Sequence, residues 1–166
     1  YNSDVTSIKT TSRLWKIPVC YDKSFGIDLE TLSEEKNISK KDIIERHSKA
    51  IYTIFFIGFL PGFLYLGGLD ETLFTPRKSI PRLQIEKGAV AIGGNQTGIY
   101  PEESPGGWNI IGNSPINFFN SSKEIPCFAK AGDRLQFCSV SLKEYQNIKA
   151  LVDANLYQLE SEVLDG

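Results

Sequence analysis

The stretch from Gly58 to Trp108, GFLPGFLYLGGLDETLFTPRKSIPRLQIEKGAVAIGGNQTGIYPEESPGGW, constrains this chain more than any other part of it. Glycine and proline recur through it every few residues. Glycine permits positive φ or close backbone approach, and proline fixes φ and removes a donor. A segment that uses both so heavily specifies turns and bent strands, not helix. Nor is it a linker, because FLYL, AVAIG and TGIY alternate with the punctuation and read as buried strand pieces. The expectation is a compact β structure whose loops build one surface.

The flanks support that stretch. Residues 1–13 are polar and read as a frayed lead-in or linker tail, leaving 14–166 as one domain. Leu14 to Tyr21 alternates apolar side chains around Pro18, which suits a strand with its proline at an edge or bulge. Asp28 is a fitting N-cap for a short helix DLETLSEEK. Ser39 with Asp42 three residues on resembles a capping box and opens a second helix, in which His47 lies near the apolar stripe of Ile43 and Ile44. Ile51 to Ile57 reads as a buried strand. Beyond Trp108 come strand candidates at NIIG, INFF, IPCF and RLQFCSV, separated by turn residues. From Ser141, the apolar positions Leu142, Tyr145, Ile148, Leu151, Val152, Leu156 and Leu159 follow a 3.6-residue period and predict a closing amphipathic helix. The fold class is therefore mainly β, a barrel or sandwich, with short helices near residues 28–49 and a helix at the C-terminal end.

Composition excludes several functions. A net charge of −2 with scattered Lys and Arg gives no basic face for nucleic acid. Cys20, Cys127 and Cys138 lack CxxC spacing, and with His47 the single histidine they predict no metal site. Reduced thiols suit a cytoplasmic protein. The longest apolar run, Ile54 to Leu60, is broken by Gly58 and too short for a bilayer. The absence of Met, with Tyr1 as first residue, suggests that a preceding domain belongs to the full-length protein.

Chemistry-bearing residues gather in the organising stretch. Arg77 and Arg82 sit on a segment stiffened by Pro76 and Pro81, and two guanidinium forks on a rigid loop suit a carboxylate or phosphate. The loop YPEESPGGW presents Glu102, Glu103 and Ser104, and a partly buried glutamate there could act as a general base. Gln96 suits recognition of an amide or lactam. GGNQTG lacks the Lys and Ser/Thr of a phosphate loop and reads as a tight strand connection. Surface salt bridges, solvated turn carboxylates and a satisfied core histidine are the plain alternatives for these same side chains.

The motifs GFLPGFLYLGGLD, TPRKSIPR, GAVAIGGNQTGIYPEESPGGWNIIG and IPVCYD…FGIDLETL occur in an order that resembles the family of allophanate hydrolase subunit 1. That family is also known for the B component of the prokaryotic 5-oxoprolinase, and it includes a sporulation-kinase inhibitor. The resemblance runs from about Ile17 to Val140 and implies a cyclophilin-like β-barrel, normally preceded by a smaller α/β domain. It further implies ATP-dependent opening of the 5-oxoproline lactam to glutamate by a complex with A and C components. ATP would enter at the level of the complex. The motif match carries over His47, Arg77, Arg82, Gln96, Tyr100, Glu103 and Ser104 as candidate site residues. In the side-chain chemistry of that site, Arg77 or Arg82 holds the substrate carboxylate, Gln96 and Tyr100 address the amide, and His47 or Glu103 moves protons. Two alternatives follow from the same family. One is an inhibitor gripping a sensor histidine kinase through an apolar patch at Phe59, Leu60 and Phe63. The other is a component acting on allophanate or urea.

Overall fold

The computed structural model describes residues 12–57, 64–118, 129 and 132–164. In chain order these form β1 (Ser12–Val19), α1 (Leu29–Lys36), α2 (Lys40–Lys49), β2 (Tyr52–Ile57), β3 (Leu64–Gly67), β4 (Arg82–Ile85), β5 (Ala89–Gly93) and β6 (Gln96–Ile99). There follow β7 (Ser104–Gly106), β8 (Asn109–Asn113), β9 (Arg134–Ser139), α3 (Leu142–Asp153) and β10 (Ser161–Leu164). Eight strands pair in the order β10-β1-β9-β2-β3-β6-β5-β8, and β4 with β7 makes a separate ribbon. The mainly β class, with helices where the caps place them, is as the sequence predicts.

The sheet returns on itself. Cys20, one residue past β1, pairs with Asn113 at the end of β8 through two backbone hydrogen bonds of 2.9 and 3.0 Å. The amides of Lys16 and Cys20 point to that same side of β1, toward Glu160 and Asn113. Alternation puts the nitrogen of Pro18 in the gap between these two partners, where no donor is needed. Pro18 thus occupies a local edge, as its type requires.

Inside the curled sheet lie Ile17, Tyr52, Ile54, Leu66, Val90, Ile92, Ile99, Ile111, Leu135 and Phe137. A second, smaller cluster of Ile85, Ala89, Ala91, Tyr100, Trp108 and Ile110 sits on the opposite face of β5, β6 and β8. Val90 and Ile92 point one way and Ala89 and Ala91 the other, as a period of two demands. Both faces of β5 are therefore covered, which is why AVAIG is apolar throughout.

Several expectations are corrected. Ser12 and Arg13, read as lead-in, belong to β1, and the Arg13 amide donates to Asp133 at 3.1 Å. Strand β2 is not buried along its length: Phe55 is exposed, next to a register shift. Ile116 and Phe118 are buried but form no strand, and IPCF lies outside the described residues. Helix α3 has the capping box of Ser141 and Glu144, yet stops at Asp153. Asn155 takes φ 59°, and the Leu156 amide turns back to the Leu151 carbonyl at 2.8 Å, a helix-ending geometry. Of the predicted apolar positions beyond the helix, Leu156 is exposed and Leu159 packs against the core from an extended segment. That segment then pairs on β1 as β10. Among the described residues no helix is long and apolar enough to cross a membrane.

Asn113 ties these parts together. Its Nδ2 donates to the Lys87 carbonyl at 3.0 Å, and its Oδ1 accepts from the Tyr145 hydroxyl of α3 at 2.7 Å. Asn113→Ala is expected to cost about 2–3 kcal/mol, against about 1 kcal/mol for Tyr145→Phe. Urea titrations should show lower midpoints with unchanged slopes. A smaller shift for Asn113→Ala than for Tyr145→Phe would contradict this account of the closure.

Candidate functional site

The second cluster opens into a cleft of about 220 Å³ between Arg77, Tyr65, Tyr100, Trp108 and the backbone of Pro105 to Gly107. Its walls depend on two glycines. A Cβ at Gly93 would lie 2.6 Å from the Trp108 indole, so only glycine lets that ring lie against β5. Gly106 in the same way leaves room for the Tyr100 hydroxyl. Tyr65 meets Trp108 edge to face, with centroids 6.2 Å apart and an interplanar angle of 71°. The guanidinium carbon of Arg77 stands 5.8 Å from the centroid of the Trp108 ring. Burial pushes the Tyr100 hydroxyl up from its ordinary range, more than the Trp108 amide and Arg77 pull it down. Tyr65 is raised by burial as well. Both phenols stay protonated at neutral pH, as neutral hydroxyls with a proton to donate.

The loop that carries Arg77 is held by a buried carboxylate. Asp28 stands at the N-cap of α1, but its side chain makes no cap hydrogen bond. It instead accepts both arms of the Arg82 guanidinium, at 2.6 and 2.7 Å, and the Ile110 amide at 2.7 Å. Lys78 Nζ lies 3.3 Å away. Burial alone raises the Asp28 carboxyl, and Arg82, the Ile110 amide and Lys78 outweigh it, leaving it below the usual carboxylate range. The Lys78 amide also donates to the Gly107 carbonyl at 2.6 Å, and Asn109 Nδ2 donates to the Pro76 carbonyl at 3.1 Å. Residues on both sides of Arg77 are thus fixed to the sheet.

His47 lies apart from the cleft, wholly inside the core. The Thr97 hydroxyl donates to the Ala91 carbonyl at 2.9 Å, so its oxygen accepts from His47 Nε2 at 2.9 Å. That leaves His47 Nδ1 to accept the Tyr21 hydroxyl at 2.6 Å. The ring stacks on Phe137 at 4.6 Å and 14°. Desolvation lowers its pKa to about 3. Both nitrogens are occupied, and the ring is uncharged across the physiological range.

The predicted residues therefore do not share one place. Arg77 and Tyr100 meet in the cleft. Gln96 pairs with Gly93 at the start of β6, half-buried and outside the cleft lining. Glu103 is exposed and outside the cleft lining, as is Ser104, which lies in β7 with its hydroxyl 3.3 Å from the Pro105 carbonyl. Arg82 does hold a carboxylate, but that carboxylate is the chain's own Asp28. The apolar patch at Phe59, Leu60 and Phe63 lies outside the described residues. Sequence reasoning assigned no role to Tyr65, Lys78 or Trp108, and read Asp28 as the N-cap, the position it holds, without its ion pair. A tryptophan after two glycines was the available signal for Trp108. Nothing in a separation of 54 residues announces the pairing of Asp28 with Arg82.

A curled β domain with one aromatic, arginine-bearing cleft is the class this fold and site define. Residues 1–129 match the family described as carboxyltransferase domain, subdomain C and D, and the chain belongs to that family. It is 41% identical over 137 residues to the B component of the 5-oxoprolinase of Bacillus subtilis, covering 82% of this chain and 57% of that protein. With the corresponding 5-oxoprolinase component of Haemophilus influenzae it shares 45% identity over 122 residues, 74% of this chain and 57% of that protein. The motif resemblance is thereby borne out, and the chain spans less than two thirds of these relatives. A conserved uncharacterized protein of Pyrococcus horikoshii superposes with TM-score 0.77 at 47% identity, over 80% of this chain and 61% of that one. The urea amidolyase of K. lactis shares the fold, with TM-score 0.78 at 18% identity over 98% of this chain and 12% of its own.

Two outcomes test the buried groups. Since the folded pKa of His47 is lowered, the unfolded chain takes up a proton that the folded chain refuses, and stability falls as pH drops from 6.5 toward 3. This one group should cost about 2 kcal/mol between pH 7 and pH 5. Denaturant titrations at the two pH values should show that loss in the wild type and its disappearance in His47→Gln. Equal pH slopes in the two proteins would remove His47 as its source. Asp28→Ala leaves Arg82 and Lys78 without their buried partner and should cost about 3–5 kcal/mol at pH 7, read from the urea midpoint. A loss below about 1 kcal/mol, the size of an exposed ion pair, would mean that the latch does not hold the loop.

Proposed function

We propose that this chain is the carboxyltransferase-like part of the B component of an ATP-dependent 5-oxoprolinase, which opens the 5-oxoproline lactam to glutamate together with A and C components. The observation that carries this reading is the identity of 41–45% to 5-oxoprolinase B components over most of the chain. ATP is used by the assembled complex, and this chain is inactive by itself. The geometry suits that division of labour. Arg77 and Glu103 are exposed, and general acid–base chemistry needs a site from which water is excluded. A partner protein covering this face would supply the exclusion, placing the active site at an interface. Gln96, from the start of β6, then addresses the lactam amide, Ser104 lines the approach, and Glu103 serves proton transfer. His47 and Arg82 support the site from the core and the loop without touching the substrate.

The test is ATP-dependent release of glutamate from 5-oxoproline by the full-length protein mixed with the A and C components, each omitted in turn. Activity is expected only in the complete mixture. A complete, folded mixture that releases no glutamate would rule out 5-oxoproline as the substrate. Glu103→Gln should lower kcat about 10²-fold with KM nearly unchanged. An unaltered kcat would remove Glu103 from the proton path.

A further inference from the structure

We infer that the cleft between Arg77, Trp108, Tyr65 and Tyr100 is a subsite for a small cyclic carboxylate, in which Arg77 takes the carboxylate and Trp108 and Tyr65 select the ring. The identity of that ligand as 5-oxoproline rests on the 5-oxoprolinase reading. The existence of the subsite does not.

Charge is the first argument. Three basic residues lie on the segment from Arg77 to Arg82. Arg82 and Lys78 converge on Asp28, whereas Arg77 joins no ion pair among the described residues. Its charge borders the cleft and is left for an incoming anion. At 5.8 Å from the indole centroid the guanidinium is within cation–π reach, and it offers a planar fork of N–H donors to an anion, which a lysine ammonium would not.

Preorganisation is the second. Pro76 and Lys78, the residues on either side of Arg77, are both hydrogen-bonded, through Asn109 of β8 and through Gly107 in the β7–β8 connection. The backbone of Arg77 is therefore set before any ligand arrives, and only side-chain torsions remain to be fixed on binding. That lowers the entropy cost of the contact. The Asp28 latch serves this site at one remove, as a positioning device.

Shape is the third. The volume of about 220 Å³ admits a five-membered ring with its substituents. Trp108 and Tyr65 stand edge to face, giving a flat wall and a rim against which such a ring can pack. The Tyr100 phenol, kept protonated by burial, borders the floor beside Gly106. Carboxylate at the arginine, ring on the indole and a polar floor together describe a lactam acid better than they describe an open-chain dicarboxylate, which would need a second cation.

The experiment pairs direct binding with kinetics. Binding to the full chain is followed by tryptophan fluorescence with four probes: 5-oxoproline, cyclopentanecarboxylate, 2-pyrrolidinone and acetate. The first two should bind, and 2-pyrrolidinone and acetate should bind at least about tenfold more weakly, the loss of one charged or apolar contact. Arg77→Gln should weaken the two cyclic acids by about the same factor, Arg77→Lys should fall between, and Tyr65→Leu should weaken them severalfold without altering acetate. Arg77 is exposed, so these variants should keep the wild-type circular dichroism. In the complex with the A and C components, Arg77→Gln should raise KM about tenfold or more with kcat nearly unchanged. If Arg77→Gln changes neither probe binding nor KM, or if 2-pyrrolidinone binds as well as 5-oxoproline, the subsite is overturned. A complex that releases glutamate with a KM indifferent to Arg77 defeats the subsite and leaves the 5-oxoprolinase reading intact. A complex that releases none, alongside cyclopentanecarboxylate binding lost in Arg77→Gln, does the reverse.

Discussion

The buried carboxylate of Asp28 is the interaction on which the surface of this domain depends. An ionised group taken out of water is tolerated only when opposite charge and hydrogen bonds replace the solvent. Here the replacement comes from three separate stretches: Arg82 on the ribbon, Lys78 on the loop and the Ile110 amide on β8. Desolvation of one carboxylate thus enforces the meeting of helix α1, the β4–β7 ribbon and the sheet. The cost of leaving it unpaired is what makes the arrangement specific.

From that junction the cleft follows. The ribbon is short, two strands of four and three residues, and an isolated two-stranded pair of that size is marginal unless packed. It is stabilised by lying over Ala89, Ala91 and Ile110, with Ile85 beneath it. The loop between Thr75 and Arg82 is then bound at both ends. Thr75 pairs with Gly94 at the turn of the β5–β6 hairpin, and Arg82 pairs with Gly106. Arg77 projects from this fixed frame over an indole that only a glycine at position 93 admits. The glycine-rich character of the central stretch therefore has a packing cause. Side chains at Gly93 and Gly106 would fill the space that the aromatic rings occupy.

Family membership and site geometry carry different weights. Sequence identity to 5-oxoprolinase B components establishes the family, over a part of the length of those proteins. The fold shared with urea amidolyase shows that the same curled sheet serves a chain of other composition. The cleft face of this chain gathers an arginine outside the described ion pairs, two protonated phenols and an indole. The buried histidine belongs to a different part of the design. With Tyr21, Thr97 and the Ala91 carbonyl it forms a closed hydrogen-bond chain across the interior, and it stabilises the curled sheet from within.

The sequence by itself determined the local structure. The Ser39 and Ser141 caps, the alternation in AVAIG, the turn at Gly94 and the mainly β class all follow from near-neighbour propensities and periods of two or 3.6, which a chain displays without folding. It also singled out Arg77, Tyr100 and Arg82 as residues of consequence. Tertiary structure alone decided what each one does. Arg82 and Arg77 have the same chemistry and sit within one short loop, yet one is held by Asp28 and the other joins no ion pair among the described residues. His47 reads on a helical wheel as a stripe residue that could face either way, and only the closure of β6 and β9 around it made it a core group. Past the end of the helix from Ser141 the 3.6-residue period fails at the exposed Leu156, and an extended segment presents the alternate residues Tyr157 and Leu159 to the core instead. Partners separated by tens of residues meet through the cost of burying charge and the shape left by missing side chains, and neither is written in local pattern.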